Sequence, residues 1–149
     1  KAGHAVTSCA WIHSVDSLGL LQRLDRLSAD AGTQPNLLVQ VDLAQEATKH
    51  GASENETRRI FEAAAGCHSV SMRGLMVLPP RADTPEGSRP FFRRLRKLRD
   101  EFIDHGVDPA MLHELSMGMS HDFEVAVEEG ATMVRVGTGI FGPRPRPEA

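Results

Sequence analysis

Two hydrophobic periods alternate along this chain. Short runs of neighbouring apolar residues suit strands buried on both faces. Between them, apolar residues recur every three or four positions, as on an amphipathic helix. Trp11-Ile12-His13-Ser14-Val15 reads as the first strand. Leu18, Leu21, Leu24 and Leu27 then share a helical face, with Asp16 or Ser17 as cap and Gly32 as the stop. Leu37 to Val41 is a second strand, and Ser53-Glu54-Asn55-Glu56 has the form of a capping box opening a helix with Ile60 and Phe61 that ends at Gly66. Val70 to Leu78, closed by Pro79-Pro80, is the third strand. Thr84 as cap and Pro85 as the first helical residue begin a long helix striped with Phe91, Phe92, Leu95, Leu98 and Phe102.

The fourth strand carries Met111, Leu112, Leu115 and Met117 and breaks at Gly118 into a helix whose first turn holds Ser120 and Asp122. The fifth runs from Met133 to Val136 and ends in Gly137-Thr138-Gly139. Residues 1–10 declare no period, and the Pro-rich stretch 143–149 reads as a disordered tail.

Strict alternation with strands about 30 residues apart argues for a parallel sheet with crossover helices. An open doubly wound sheet and part of a (β/α)8 barrel both fit the pattern. No GxGxxG follows the first strand, which disfavours a dinucleotide fold. The last two strands both release small, hydrogen-bonding residues at their C-terminal ends, where α/β folds bind ligands. Free backbone N–H groups there suit a phosphate, although the same residues also serve simple tight turns.

Composition narrows this picture only a little. The 149 residues, 40% hydrophobic and 25% charged, fit one globular domain, and a net charge of −3 gives no general attraction to nucleic acid or anionic membranes. No apolar run is long enough to span a bilayer and no signal peptide is visible. Cys9 and Cys67 stand alone and read as reduced thiols, pointing to the cytoplasm. The histidines show no metal-ligand spacing. Asp122 reads as a helix-dipole cap. Basic residues crowd positions 89–99, but the interleaved Phe and Leu make this the solvated outer face of a helix; binding of nucleic acid or a partner is the competing reading.

A series of motifs then becomes informative: Ile12-His-Ser-Val-Asp-Ser17, Gln40-Val-Asp with Gln45-Glu46 and Lys49-His-Gly51, Arg73-Gly-Leu-Met76, Leu115-Ser-Met-Gly-Met-Ser120, and Met133-Val-Arg-Val-Gly-Thr138 with Ile140-Phe-Gly142. In this order they resemble the pyridoxal-phosphate homeostasis proteins, relatives of the N-terminal barrel of alanine racemase. The resemblance covers residues 1 to about 142 and implies part of a (β/α)8 TIM-type barrel with about five parallel strands. It implies a pyridoxal 5′-phosphate binder without catalytic turnover, serving vitamin B6 and amino-acid balance and possible delivery to apo-enzymes. By the same resemblance, Ser116 and Met117 lie in a cofactor-binding motif, with Ser116 at the phosphate. Gly137 and Thr138 supply further phosphate donors, and Arg135 faces the pyridine nitrogen. A guanidinium donates to that nitrogen and disfavours its protonation, which suits binding better than carbanion chemistry.

The resemblance also implies a departure. The chain opens on Lys1, as though after the third strand, so that three strands and the Schiff-base lysine are missing. The three lysines present are Lys1, Lys49 and Lys97. Five strands would leave open edges, to be covered by a companion segment or by self-association. A racemase- or decarboxylase-like enzyme is the rival reading; it needs an anchoring lysine and a proton-transfer partner, and the sequence holds no tyrosine. His13, near a strand end, reads as a hydrogen-bonded structural residue or a group at the mouth.

Overall fold

The computed structural model describes residues 1–44 and 50–143. In chain order the elements are α1 (Ala2–Ser8), β1 (Trp11–Val15), α2 (Leu18–Ala31), β2 (Asn36–Val41), α3 (Glu54–Ala64), β3 (Ser71–Val77), α4 (Arg89–Asp104), β4 (Glu114–Met119), α5 (Phe123–Glu128), β5 (Met133–Arg135) and α6 (Thr138–Phe141). Short 3-10 turns, Pro85–Ser88 and Pro109–Met111, precede α4 and β4.

All five strands are parallel and neighbour one another in sequence order, β1-β2-β3-β4-β5. A doubly wound sheet reverses its strand order at a switch point. This sheet has no reversal and winds one way, as a half-barrel does.

Alternation along the strands sorts side chains between two faces. Leu37, Val39 and Val41 of β2, Leu75 and Val77 of β3, and Leu115 and Met117 of β4 join one cluster with Leu21, Leu24, Ile60, Phe61, Phe92, Leu95 and Leu98 of the helices. Leu38, Gln40, Met76 and Ser116 are also buried, but on the opposite, concave face. Register sets Gln40 beside Met76, Met76 beside Ser116, and Ser116 beside Met133, forming one row across that face. Gly74 lets β3 close on β4, because a Cβ there would lie 1.9 Å from the Glu114 carbonyl oxygen.

Local chemistry departs from the sequence expectations at several points. Residues 2–8 form α1, which buries Val6 alone and so leaves no apolar period to read. Ser17 caps α2 and Gly32 ends it in the left-handed conformation. Ser53 Oγ accepts the Glu56 N–H as a capping box requires, but Glu56 does not reciprocate: its carboxylate accepts the Leu18 N–H and ties α3 to the start of α2. Thr84 makes no side-chain cap; Pro85 opens a 3-10 turn, and the helix proper starts at Arg89, with Pro90 in its first turn. Met111 and Leu112 lie outside β4, because Asp108 caps a 3-10 turn through the Ala110 N–H. Among the described residues no helix is long and apolar enough to cross a membrane.

Candidate functional site

The concave face ends in a buried polar network. Arg135, the last residue of β5, donates from Nη1 to Ser116 Oγ at 2.5 Å and from Nη2 to the Val77 carbonyl at 2.8 Å. No described carboxylate forms an ion pair with it. Burial pushes its pKa down from the usual arginine value, while the field of Asp122 opposes that fall. It remains a cation at neutral pH.

Ser116 is fully buried, and its Oγ also meets His13 Nδ1 at 2.9 Å. His13 therefore reaches across the concavity from β1 to β4, over β2 and β3. Its pKa lies below the ordinary 6.5, first because of burial and second because of the Arg135 charge.

A second cluster stands where β4 and β5 give way to turns. Ser120 Oγ accepts the backbone N–H groups of Gly137 at 3.1 Å and of Gly139 at 3.0 Å. Ser120 and Gly137, together with Met119, His121, Thr138, Phe141 and Gly142, line an open cleft of about 380 Å³. A neighbouring cleft of about 450 Å³ shares His121 and Thr138 and adds Arg81 and Asp83. Gly118 makes the approach to this turn possible: its φ is +93°, and a Cβ would come within 2.5 Å of the Ala126 side chain. Asp122 is buried and caps no helical N–H; its carboxylate accepts the Met119 N–H at 2.8 Å and locks the turn. Asp122 stands at the N-cap of α5, the position expected for it, but without a cap hydrogen bond.

Two N–H groups converging on the Ser120 hydroxyl form a cradle that would receive an anionic oxygen by exchanging that hydroxyl for it. Two residues before Gly137 in the chain stands Arg135, a half-buried cation that pairs with no described carboxylate. A phosphate on the cradle and a neutral ring acceptor near Arg135 therefore match the donor set of this site.

The structure distributes the expected site residues unevenly. Gly137 and Thr138 share the cleft with Ser120, which the sequence reading had not singled out for ligand contact. Ser116 stands deeper, bonded to Arg135 and His13 and apart from the Gly137 cradle. The Met117 side chain points the other way, into the core between sheet and helices, and is absent from the concave face. Lys97 pairs with Glu101 on α4 and is well exposed; Lys49 lies outside the described residues. Among the described residues, no group of three His, Cys, Asp or Glu is placed to hold a metal.

The arginine-rich helix is not simply solvated. Arg89, Arg93 and Arg96 converge on the buried Glu129 carboxylate at 3.0, 2.9 and 3.3 Å. Arg94 pairs with Glu54 and Glu101. These contacts tie α4 to α5 and α3 and draw the arginines into intramolecular pairs.

Comparison with known proteins gives a consistent set of likenesses. The family model for the alanine racemase N-terminal domain matches residues 4–145. A pyridoxal phosphate homeostasis protein of Aquifex aeolicus is 43% identical over 144 residues, covering 97% of this chain and 62% of that protein. One from Pseudomonas aeruginosa is 39% identical over 135 residues, covering 90% of this chain and 56% of that protein. Among solved structures, PipY of Synechococcus elongatus with PLP bound superposes with a TM-score of 0.87 at 39% identity, covering 95% of this chain and 65% of that one. The chain thus spans about three-fifths of the length of these curated relatives.

Proposed function

The chain belongs to the alanine racemase N-terminal-domain family, and on that premise we propose that it binds pyridoxal 5′-phosphate where β4 and β5 end. One observation carries this reading: the Gly137 and Gly139 N–H groups converge on the Ser120 hydroxyl, two residues along the chain from a half-buried arginine that pairs with no described carboxylate. The phosphate falls to those two N–H groups with the Ser120 and Thr138 hydroxyls. Arg135 takes the ring nitrogen, and Ser116 contributes by holding Arg135 rather than by touching phosphate. When bound, the cofactor supplies an electrophilic aldehyde and an electron-accepting ring.

The role is binding and handing on, not turnover. Arg135 donates only, so it leaves a ring nitrogen unprotonated and the ring a weaker electron sink. No tyrosine is present in these residues to move a proton at the ring. The names of the relatives support a place in cofactor homeostasis, and transfer to apo-enzymes in the cytoplasm is part of the same proposal. The open edge of β5, with Val127, Val134, Ile140 and Phe141 exposed around it, would take a covering layer from further chain or from a second copy.

Absorbance titration of the chain with pyridoxal 5′-phosphate, with pyridoxal as the control, tests the reading. Saturable binding of the phosphorylated form alone is expected, weakened about fivefold in Ser120→Ala or Thr138→Val. Equal binding of both forms, or none by a folded chain, would sink it.

A further inference from the structure

We infer that His13 is a positioning residue for Arg135, acting through the Ser116 hydroxyl and doing so only as a neutral imidazole. The inference deepens the cofactor-site reading and rests on it for its functional consequence, but the hydrogen-bond order that carries it needs no ligand.

That order follows from donor and acceptor counts. A guanidinium has five N–H donors and no acceptor, so in the Arg135–Ser116 contact the serine oxygen accepts. The single proton of the hydroxyl is then free to point elsewhere. Ser116 is fully buried, and the one other polar atom bonded to its Oγ among the described residues is His13 Nδ1, at 2.9 Å. If Nδ1 carried a proton, Ser116 would accept from both sides and its own proton would have no partner in a buried site, an arrangement folded proteins avoid. The chain of donation therefore runs from Arg135 to Ser116 to His13. It assigns His13 the neutral tautomer with its proton on Nε2.

Each member depends on the next. With its proton given to His13, the Ser116 oxygen is a better acceptor for Arg135. Between that oxygen and the Val77 carbonyl, Nη1 and Nη2 are both held, which leaves Nε and the remaining Nη protons for a ligand. Protonating His13 turns Nδ1 into a donor, reverses the polarity of the chain, and sets a second cation near Arg135. Among the described residues, the one charge that shifts His13 is that of Arg135, which opposes its protonation. Leu38 and Gln40 of β2 and Met76 of β3 share the concave face and are uncharged. Arg135 of β5 carries the same sign, and Asp122, behind Arg135, supports the arginine. Burial first, and the Arg135 charge second, already hold His13 below its ordinary pKa.

Two measurements on the 149-residue chain test this separately. Imidazole 15N shifts of the ligand-free protein at pH 7.5 should show an unprotonated Nδ1 and a protonated Nε2 at His13. Ser116→Ala should then shift the Arg135 guanidinium signals. A protonated His13 Nδ1, or guanidinium signals indifferent to Ser116→Ala, would overturn the inference whatever the ligand does. Affinity for pyridoxal 5′-phosphate from pH 8 to 5.5 gives the functional arm. Wild type should weaken about tenfold as His13 protonates. His13→Asn, which keeps an acceptor that does not titrate, should hold its neutral-pH affinity and lose that step. His13→Leu should bind about tenfold more weakly throughout. The same pH step in His13→Asn as in wild type would exclude His13 as its origin. No binding by a wild-type chain with the expected 15N pattern would refute the cofactor reading and leave the relay standing.

Discussion

Arginines of this molecule are held in two opposite ways. On the outer layer, Arg89, Arg93 and Arg96 surround the buried Glu129, and Glu86 and Glu128 add further acceptors to Arg89. Arg93 and then Arg89 hold the Glu129 carboxyl well below its usual range. On the concave face, Arg135 is half-buried against a hydroxyl and a carbonyl, both neutral. A half-buried charge that pairs with no described carboxylate carries a desolvation cost that two neutral acceptors offset only in part. The outer cluster is complete in itself and holds helices together. The inner one is incomplete, and a ligand that accepts its hydrogen bonds would complete it.

Replacing Arg135 should separate these roles most sharply. Arg135→Met removes the donor and the uncompensated charge together. Affinity for pyridoxal 5′-phosphate should fall about 50-fold, the loss of one or two charge-assisted hydrogen bonds, while Tm holds or rises slightly. Arg135→Lys should recover little of the affinity, because a point charge cannot hold Ser116, Val77 and a ligand at once. A large drop in Tm for Arg135→Met would make Arg135 a structural residue and erase the contrast with the outer cluster.

Glu129→Gln is the mirror experiment. It keeps the shape but strips the charge that three arginines share, and each retains a weaker acceptor at best. Tm should fall by about 5 °C, with cofactor affinity unchanged within twofold. Loss of affinity would show that the two regions are coupled through α5, which leads from the Asp122 turn to Glu129.

Why one region was legible in the sequence and the other was not follows from distance along the chain. β2 announces itself as a run of apolar residues, and α4 as a stripe of Phe and Leu, because both signals are local. Arg135, Gly137 and Thr138 are singled out by the resemblance that a local motif carries, and the role of each toward a ligand is a proposal. The choice between Ser116 and Ser120 could not be read from period alone. Gly118 turns the backbone to positive φ, and the β4–β5 register shifts between Ser116 and Met119, so the alternation that would place both serines on one face is broken. His13 meets Ser116 across 103 residues, and Glu129 gathers arginines 33 to 40 residues away; no pattern within a window of one helix predicts either. Val6 alone was too little to announce α1.

Acid should take the two regions apart in separate pH windows. The folded pKa of His13 lies below 6.5, so the unfolded chain takes up that proton first, and stability declines as pH drops below 6.5 toward the folded value. The folded pKa values of Glu86, Glu101 and Glu129 lie below 4.5, so their contribution is fully present above 4.5 and is lost as pH falls through those folded values. Tm measured against pH should therefore lose its upper slope in His13→Asn and part of its lower slope in Glu129→Gln. A shared slope, altered by both substitutions in the same window, would merge what the structure keeps apart.

The smallest effect should come from Arg93→Ala. Arg93 has a 63% exposed side chain, against 24% for Arg89, although both reach the same Glu129 oxygen. Solvent screens the exposed guanidinium, and its long side chain loses rotamer freedom to hold one geometry. Arg89 and Arg96 still hold the carboxylate when Arg93 is gone. A fall in Tm of less than about 2 °C is expected, shrinking further in 0.5 M salt, whereas Arg89→Ala should cost more and respond less to salt. Equal losses from the two would mean that the carboxylate, and not the burial of each arginine, sets the strength of every pair. Arg135, half-buried and paired with no described carboxylate, would then be the sterner test of what a neutral acceptor can hold.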